Sequence, residues 1–165
     1  MNDLLVFLHG LPAFERFVNK PLDMLVRNLR LHDFEPGQRI IDQGSQGPAM
    51  YIIISGTVEI PRHEASGGEE QEASDARDGE IIGLSSLVNN LPSPVTCTAK
   101  TKVFSAELTP ERYEALFLQA PAVAHQLQYM VAVQLARDLQ EQNKLLRKGL
   151  AKRQSGSLLG RLFGR

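Results

Sequence analysis

The stretch that decides the fold is Gly79–Ala99, GEIIGLSSLVNNLPSPVTCTA. It opens on a glycine, passes through Ile81 and Ile82 to a second glycine, and breaks into Leu84-Ser85-Ser86-Leu87. Paired β-branched residues followed by glycine read as a strand ending in a tight turn, and the residues beyond as the start of a short helix. The first N–H groups of such a helix have no intrahelical partner, which makes them a natural seat for an anion. Yet no lysine or arginine lies between Arg77 and Lys100. The stretch has the frame of a phosphate cradle and lacks the cation that would clamp a phosphate.

Upstream, the sequence is punctuated in the same way. Glu35-Pro36-Gly37 is a turn and Gln38–Asp42 a short strand. Gly44 and Gly47-Pro48 mark another turn before the apolar run Met50–Ile54; Ser55-Gly56 turns the chain into Thr57–Ile60. Short strands broken by glycine every eight to ten residues or so predict a small β-barrel or roll. Residues 62–78, RHEASGGEEQEASDARD, are polar and acidic and read as an exposed loop rather than a metal site. Strands resume at Glu80–Ile82, Val95–Ala99 and Val103–Leu108.

Helices flank this region. Leu4, Leu5, Leu8, Phe14, Phe17, Leu22, Leu25, Val26 and Leu29 recur at three- and four-residue spacing, so residues 3–32 are expected to be helical, with new helices opening at Pro12 and Pro21. Thr109-Pro110-Glu111 is a helix start, with threonine at the N-cap and proline in the first position. That helix runs to about Leu118, and Pro121 opens a long last helix expected to end near Gly149.

Composition bounds the function. The 165 residues are 42% hydrophobic and 22% charged, with a formal net charge of −1, enough for one domain with a core and a tail. No apolar run approaches the roughly 18–20 residues of a membrane span. Asp3 stands where a secretory signal would be basic, and the single cysteine, Cys97, allows no internal disulfide; together these favour the cytoplasm. Charge is unevenly placed: residues 144–165 hold Lys144, Arg147, Lys148, Lys152, Arg153, Arg161 and Arg165 with no acidic residue. The rest of the chain carries 11 of the 18 basic residues and all 19 acidic ones, a formal charge of −8. An acidic body with a basic tail points to a tail with a partner of its own.

FEPGQRIIDQGSQGPAMYIIISGTVEI, DGEIIGLSSLVNNLPSPVTCTA and LTPERYEALFLQAP together resemble the cyclic-nucleotide-binding domain family. Glycines 37, 44, 56, 79 and 83 fall where that family's turns lie, and the likeness spans roughly residues 7–145. The resemblance implies a mainly β, α+β fold: an eight-stranded, jelly-roll-like β-roll over 34–108, N-terminal helices at 3–32 and C-terminal helices at 110–148, with 149–165 as a separate tail. It also implies a phosphate-binding cassette at 79–99, in which a glutamate accepts from the ribose 2′-hydroxyl and an arginine clamps the cyclic phosphate. Here Gly83 keeps the glycine, but Leu84 stands in the glutamate position and Ser93 in the arginine position, followed by Pro94, which has no N–H. Losing one partner of a buried charge pair costs about 2–5 kcal/mol, roughly 30- to several-thousandfold in affinity. The pocket is therefore expected to be degenerate, with Gly83, Leu84, Ser85, Ser86, Ser93 and Thr96 as candidate lining residues, and cAMP and cGMP are disfavoured as its ligands.

The remaining candidates are weighed on chemistry. Cys97 reads as a small core residue, and His9, His32, His63 and His125 have no ligand spacing. No nucleophile-elbow, Walker or zinc-protease motif occurs, so no enzyme is expected. Val123, Leu127, Val131, Leu135 and Leu139 step by four along the last helix. That helix, about 25 residues long, exceeds what one small roll can cover, so Leu127, Val131, Leu135 and Leu139 are assigned to a homodimer seam. A helix-turn-helix domain needs on the order of 60–70 residues. Sixteen residues follow Gly149, so sequence-specific DNA binding by this chain alone is not expected. The tail reads SGSLLGRLFGR. Leu158, Leu159, Leu162 and Phe163 with Arg161 suit the inner face of a membrane or a protein groove, reached through residues 150–165. The expected role is a regulatory adaptor; the competing one is a sensor that binds a cyclic nucleotide or another small anion at 79–99 and signals through the last helix.

Overall fold

The computed structural model describes residues 2–15, 17, 20–61 and 74–162, with side chains in the last helix described to residue 147 except at 137, 138, 141, 142 and 145. The chain divides into two compact units, residues 1–128 and 129–165. The first unit opens with helices α1 (Asn2–His9) and α2 (Lys20–Asn28), separated by a 3-10 turn at Pro12–Phe14. Strands β1 (Arg30–Phe34), β2 (Arg39–Ile41), β3 (Met50–Ser55), β4 (Val58–Ile60), β5 (Ser74–Ala76) and β6 (Ile81–Ile82) lead to helix α3 (Leu84–Asn89). Strands β7 (Cys97–Ala99) and β8 (Val103–Leu108), helix α4 (Pro110–Gln119) and the start of α5 (Pro121–Leu162) complete it. The second unit is the remainder of α5.

Among the described residues the strands form two four-stranded sheets, ordered β1-β8-β3-β6 and β2-β7-β4-β5, with every pairing antiparallel. This is the expected β-roll with flanking helices. Strand β8 is the spine of the first sheet. Ser105 pairs with His32 and Ile53, and Glu107 with Arg30 and Tyr51. Because a pleated strand alternates its side chains, Val103, Tyr51 and Ile53 point at the second sheet, where Ile41, Val58 and Cys97 join them in one apolar cluster. On the opposite face Met50, Ile52, Ala106 and Leu108 are fully buried, as are Leu8, Phe14, Leu22, Leu25, Leu116 and Leu127 of the helical segments. Each such aliphatic or aromatic side chain contributes about 1.5–3 kcal/mol by leaving water, so the roll is held from both sides.

Three expectations are corrected. Residues 30–32 are strand, not helix. The three- and four-residue spacing runs through Leu29, but α2 stops at Asn28, whose Nδ2 donates to Met24 O (2.8 Å) and to Gln119 Oε1 (3.3 Å). Arg112 Nη1 donates to Asn28 O (3.1 Å), so the open carbonyl end of α2 is satisfied by α4 and the chain is released to pair with β8. Second, 74–76 of the expected loop form β5, which pairs with β4; residues 62–73 lie outside the described residues. Third, the last helix does not end near Gly149 but continues to Leu162. Gly149, Gly156 and Gly160 all lie inside it, each at a cost of about 1 kcal/mol relative to alanine, among Leu, Lys, Arg and Ala, which are strong helix formers.

Candidate functional site

The cassette is built on the pairing of β6 with β3, Tyr51 opposite Ile82 and Ile52 opposite Ile81. Gly83 follows at φ +76° and caps the start of α3. A Cβ at this residue would lie 2.6 Å from Ala49 O and 2.8 Å from Ile41 Cδ1. Only glycine satisfies both the left-handed backbone and this close approach to the start of β3. Leu87 N donates to Gly83 O (3.0 Å), so α3 begins at Leu84 and leaves the N–H groups of Leu84, Ser85 and Ser86 ahead of its first internal bond. Ser86 is buried, Leu84 half-buried and Ser85 exposed. Helix α3 ends at Asn90, itself left-handed at φ 51°, and Leu91 N donates to Ser86 O (3.1 Å).

Gly83, Leu84, Ser85 and Ser86 therefore form one continuous turn, whereas Ser93 and Thr96 are tied to the turn after β2. Ser93 is only 5% exposed. Its N–H donates to Ser45 O (3.0 Å), its carbonyl accepts from Gly44 N–H (2.8 Å), and its hydroxyl donates to Val95 O (2.8 Å). Thr96 Oγ1 accepts from Gln43 N–H (3.1 Å). Of the cations that bracket the cassette in sequence, Lys100 is paired with Asp75 (3.2 Å) and Arg77 is exposed. Leu84 offers no acceptor for a ribose hydroxyl, and Ser93 offers no charge for a phosphate.

The residues assigned to a dimer seam fall into two groups. Leu127 and Val131 are buried, at 0% and 4% exposure, while Leu135 and Leu139 are 51% and 60% exposed. Leu146, seven residues beyond Leu139, is exposed too. Leu158, Leu159, Arg161 and Leu162 lie on the α5 backbone beyond its described side chains, and Phe163 lies outside the described residues. Among the described residues, no group of three or more His, Cys, Asp and Glu side chains is arranged to hold a metal ion, and no helix is long and apolar enough to cross a membrane.

One polar cluster has no counterpart in the sequence reading. On the inner face of the first sheet, Glu107 accepts from Tyr51 Oη through one oxygen and bonds His32 Nε2 through the other, both at 2.9 Å. Phe34 packs edge-on against Tyr51, ring centres 5.8 Å apart. Burial first, then the hydrogen bond to Glu107 and its negative charge, push the Tyr51 phenol well above its ordinary value. The only sequence signal for the cluster was a tyrosine inside an apolar run; its partners lie 56 and 75 residues apart along the chain. Cys97 is buried and its thiol is pushed up to about 11 by that burial, so it is held as an unreactive thiol.

Comparison with known proteins agrees with this architecture. The family model for the cyclic nucleotide-binding domain matches residues 31–120. A cAMP-dependent protein kinase regulatory subunit of Yarrowia lipolytica is 32% identical over 118 residues, covering 72% of this chain and 28% of that protein. The cyclic AMP receptor protein of Thermus thermophilus is 30% identical over 134 residues, 81% of this chain and 60% of that protein. The crystal structure of the Thermus thermophilus catabolite activator protein superimposes with a TM-score of 0.69 at 28% identity, covering 81% of this chain and 62% of that one. The chain thus spans between about a quarter and three fifths of these relatives' lengths. A β-roll with a glycine-capped helix after its sixth strand, flanked by helices, is the architecture these relatives share. The chain belongs to the cyclic nucleotide-binding domain family.

Proposed function

We propose that this chain is a non-enzymatic regulatory adaptor whose cassette no longer uses a cyclic nucleotide. The observation that carries it is the state of Ser93: at the position where the family has its arginine, all three polar groups of a buried serine are engaged within the chain. A cyclic phosphate would enter that space with one negative charge and meet no countercharge, with its desolvation uncompensated. Regulation then runs through protein contacts: pairing of two copies along the exposed leucines of α5, and attachment of the basic segment 150–165 to a membrane surface or a protein groove.

A second reading has its own support. The relatives matched at 30–32% identity are named for cAMP. On this reading the free N–H groups of Leu84–Ser86 and the hydroxyls of Ser85 and Ser86 hold a nucleotide or another small anion through neutral donors. Titration of the unmodified chain with cAMP separates the two: the adaptor reading expects no binding up to millimolar concentration, and a dissociation constant in the low micromolar range or below would overturn it. The double substitution Leu84→Glu with Ser93→Arg then gives the cause: a gain of the roughly 30- to several-thousandfold that a buried charge pair supplies assigns the silence to the missing clamps, and no gain assigns it to Pro94 and the bonds of Ser93.

A further inference from the structure

The turn between β2 and β3, residues 42–49, touches the cassette at four successive places. Gln43 N–H donates to Thr96 Oγ1 (3.1 Å). Gly44 and Ser45 exchange a pair of backbone bonds with Ser93 (2.8 and 3.0 Å). Gly47 is buried against Asn90, whose Oδ1 lies 2.6 Å from where a Cβ on Gly47 would be. Ala49 O sits 2.6 Å from the Cβ position of Gly83, at the first turn of α3. The turn is itself closed: Ser45 N–H and Oγ both donate to Asp42 O (3.1 and 2.6 Å). Its contacts therefore run the length of the cassette, from the helix start at 83, past the helix end at 90, to the clamp position at 93 and on to 96.

We infer that this turn is a built-in strap that holds the cassette in one conformation through intrachain bonds, doing mechanically what a clamped ligand would do. The inference deepens the adaptor reading and rests on it for its meaning: a strapped cassette presents a constant surface to a protein partner, with no small molecule needed to order it. The chemistry favours a strap over an ordinary loop contact because the bonds are mixed in kind. Two backbone bonds fix register, one side-chain acceptor fixes the far end, and two glycine approaches fix the depth. Losing any one should loosen its neighbours if they act as a unit.

Backbone amide exchange, followed residue by residue on the full chain with no nucleotide added, tests this. The strap predicts that the amides of Gly44 and Ser93 exchange about a thousandfold or more slower than unprotected amides. Exchange within about tenfold of the unprotected rate overturns it. Thr96→Val removes the acceptor of Gln43 while conserving shape, so folding is not at stake. The strap predicts faster exchange at Gln43, Gly44 and Ser93 together, about tenfold or more, with the amide of Gly79, which donates to Ile53 O (2.7 Å), unchanged. A change confined to Gln43 means independent bonds and overturns the strap. A parallel titration with cAMP keeps the two readings apart. Binding by a protein whose Gly44 and Ser93 amides are already protected overturns the adaptor reading and leaves the strap standing; unprotected amides without binding overturn the strap alone.

Discussion

Replacing Gly83 with alanine adds one methyl group at the hinge between β6 and α3. The backbone there is left-handed, at φ +76°, and the new Cβ would sit 2.6 Å from Ala49 O and 2.8 Å from Ile41 Cδ1. The left-handed conformation costs a non-glycine residue about 1–2 kcal/mol. Forcing a methyl group into a filled space adds about 1–3 kcal/mol, and the nearest atom is a backbone oxygen that cannot swing aside. The expected loss is about 2–5 kcal/mol, a large part of the usual margin of a small domain. Gly37→Ala is the control, because Gly37 has a similar φ of +85° with nothing within 4 Å of its Cβ position. It should lose only the conformational part, about 1–2 kcal/mol. Urea unfolding of both variants reads the difference, since a slope of about 1–3 kcal/mol per molar turns it into a clear separation of midpoints. Equal midpoints for the two variants would refute the close approach of the cassette to the start of β3, and with it the account of how the cassette is positioned.

Other consequences can be measured separately. Tyr51 keeps its proton in the folded state where the unfolded phenol loses it, so folding stability is fully present below the ordinary value of 10.0 and falls as pH rises above it, by up to about 1.4 kcal/mol per pH unit. Urea midpoints between pH 9 and 11 or so should show that slope on top of the one from Cys97, whose thiol burial raises from 9.0 to about 11, and Tyr51→Phe should remove its own share; an unchanged slope would mean that burial and Glu107 do not raise the phenol. Leu127→Ala should cost about 2–5 kcal/mol in thermal or urea unfolding. Leu135→Lys with Leu139→Lys should leave stability within about 0.5 kcal/mol and convert a dimer to a monomer in sedimentation velocity; a wild-type protein that sediments as a monomer would remove the seam. Deleting residues 154–165 should change where the protein fractionates in a cell, and an unaltered distribution would take the tail out of the account.

Much of the roll was legible because its turns need residues that no other chemistry supplies. Glycines at left-handed positions bound the strands, and Val103–Leu108, closed by Thr109-Pro110, is legible to the residue although its burial does not alternate strictly. Thr109-Pro110 and Pro121 announced α4 and α5 through proline's tolerance of a helix's first turn. What failed depended on distant partners. Arg30–His32 follows directly on a helical spacing that runs through Leu29 and becomes strand by pairing with β8. Ser74–Ala76 has no strand signature of its own and takes its conformation from β4. At the cassette, the identities of Leu84 and Ser93 were plain in the sequence. That the Ser93 hydroxyl is turned to Val95 O, and its backbone to a turn some 50 residues earlier, follows from tertiary pairing that no local pattern encodes.

Isothermal titration of the purified full chain with cAMP and then cGMP, up to millimolar concentration at moderate salt, tests the central claim most directly. A cassette without its carboxylate and cation predicts no heat and no thermal stabilisation up to that limit, an affinity weaker than about −4 kcal/mol. A dissociation constant in the low micromolar range or below, about −8 kcal/mol, would contradict the account and establish the chain as a nucleotide sensor working through neutral donors.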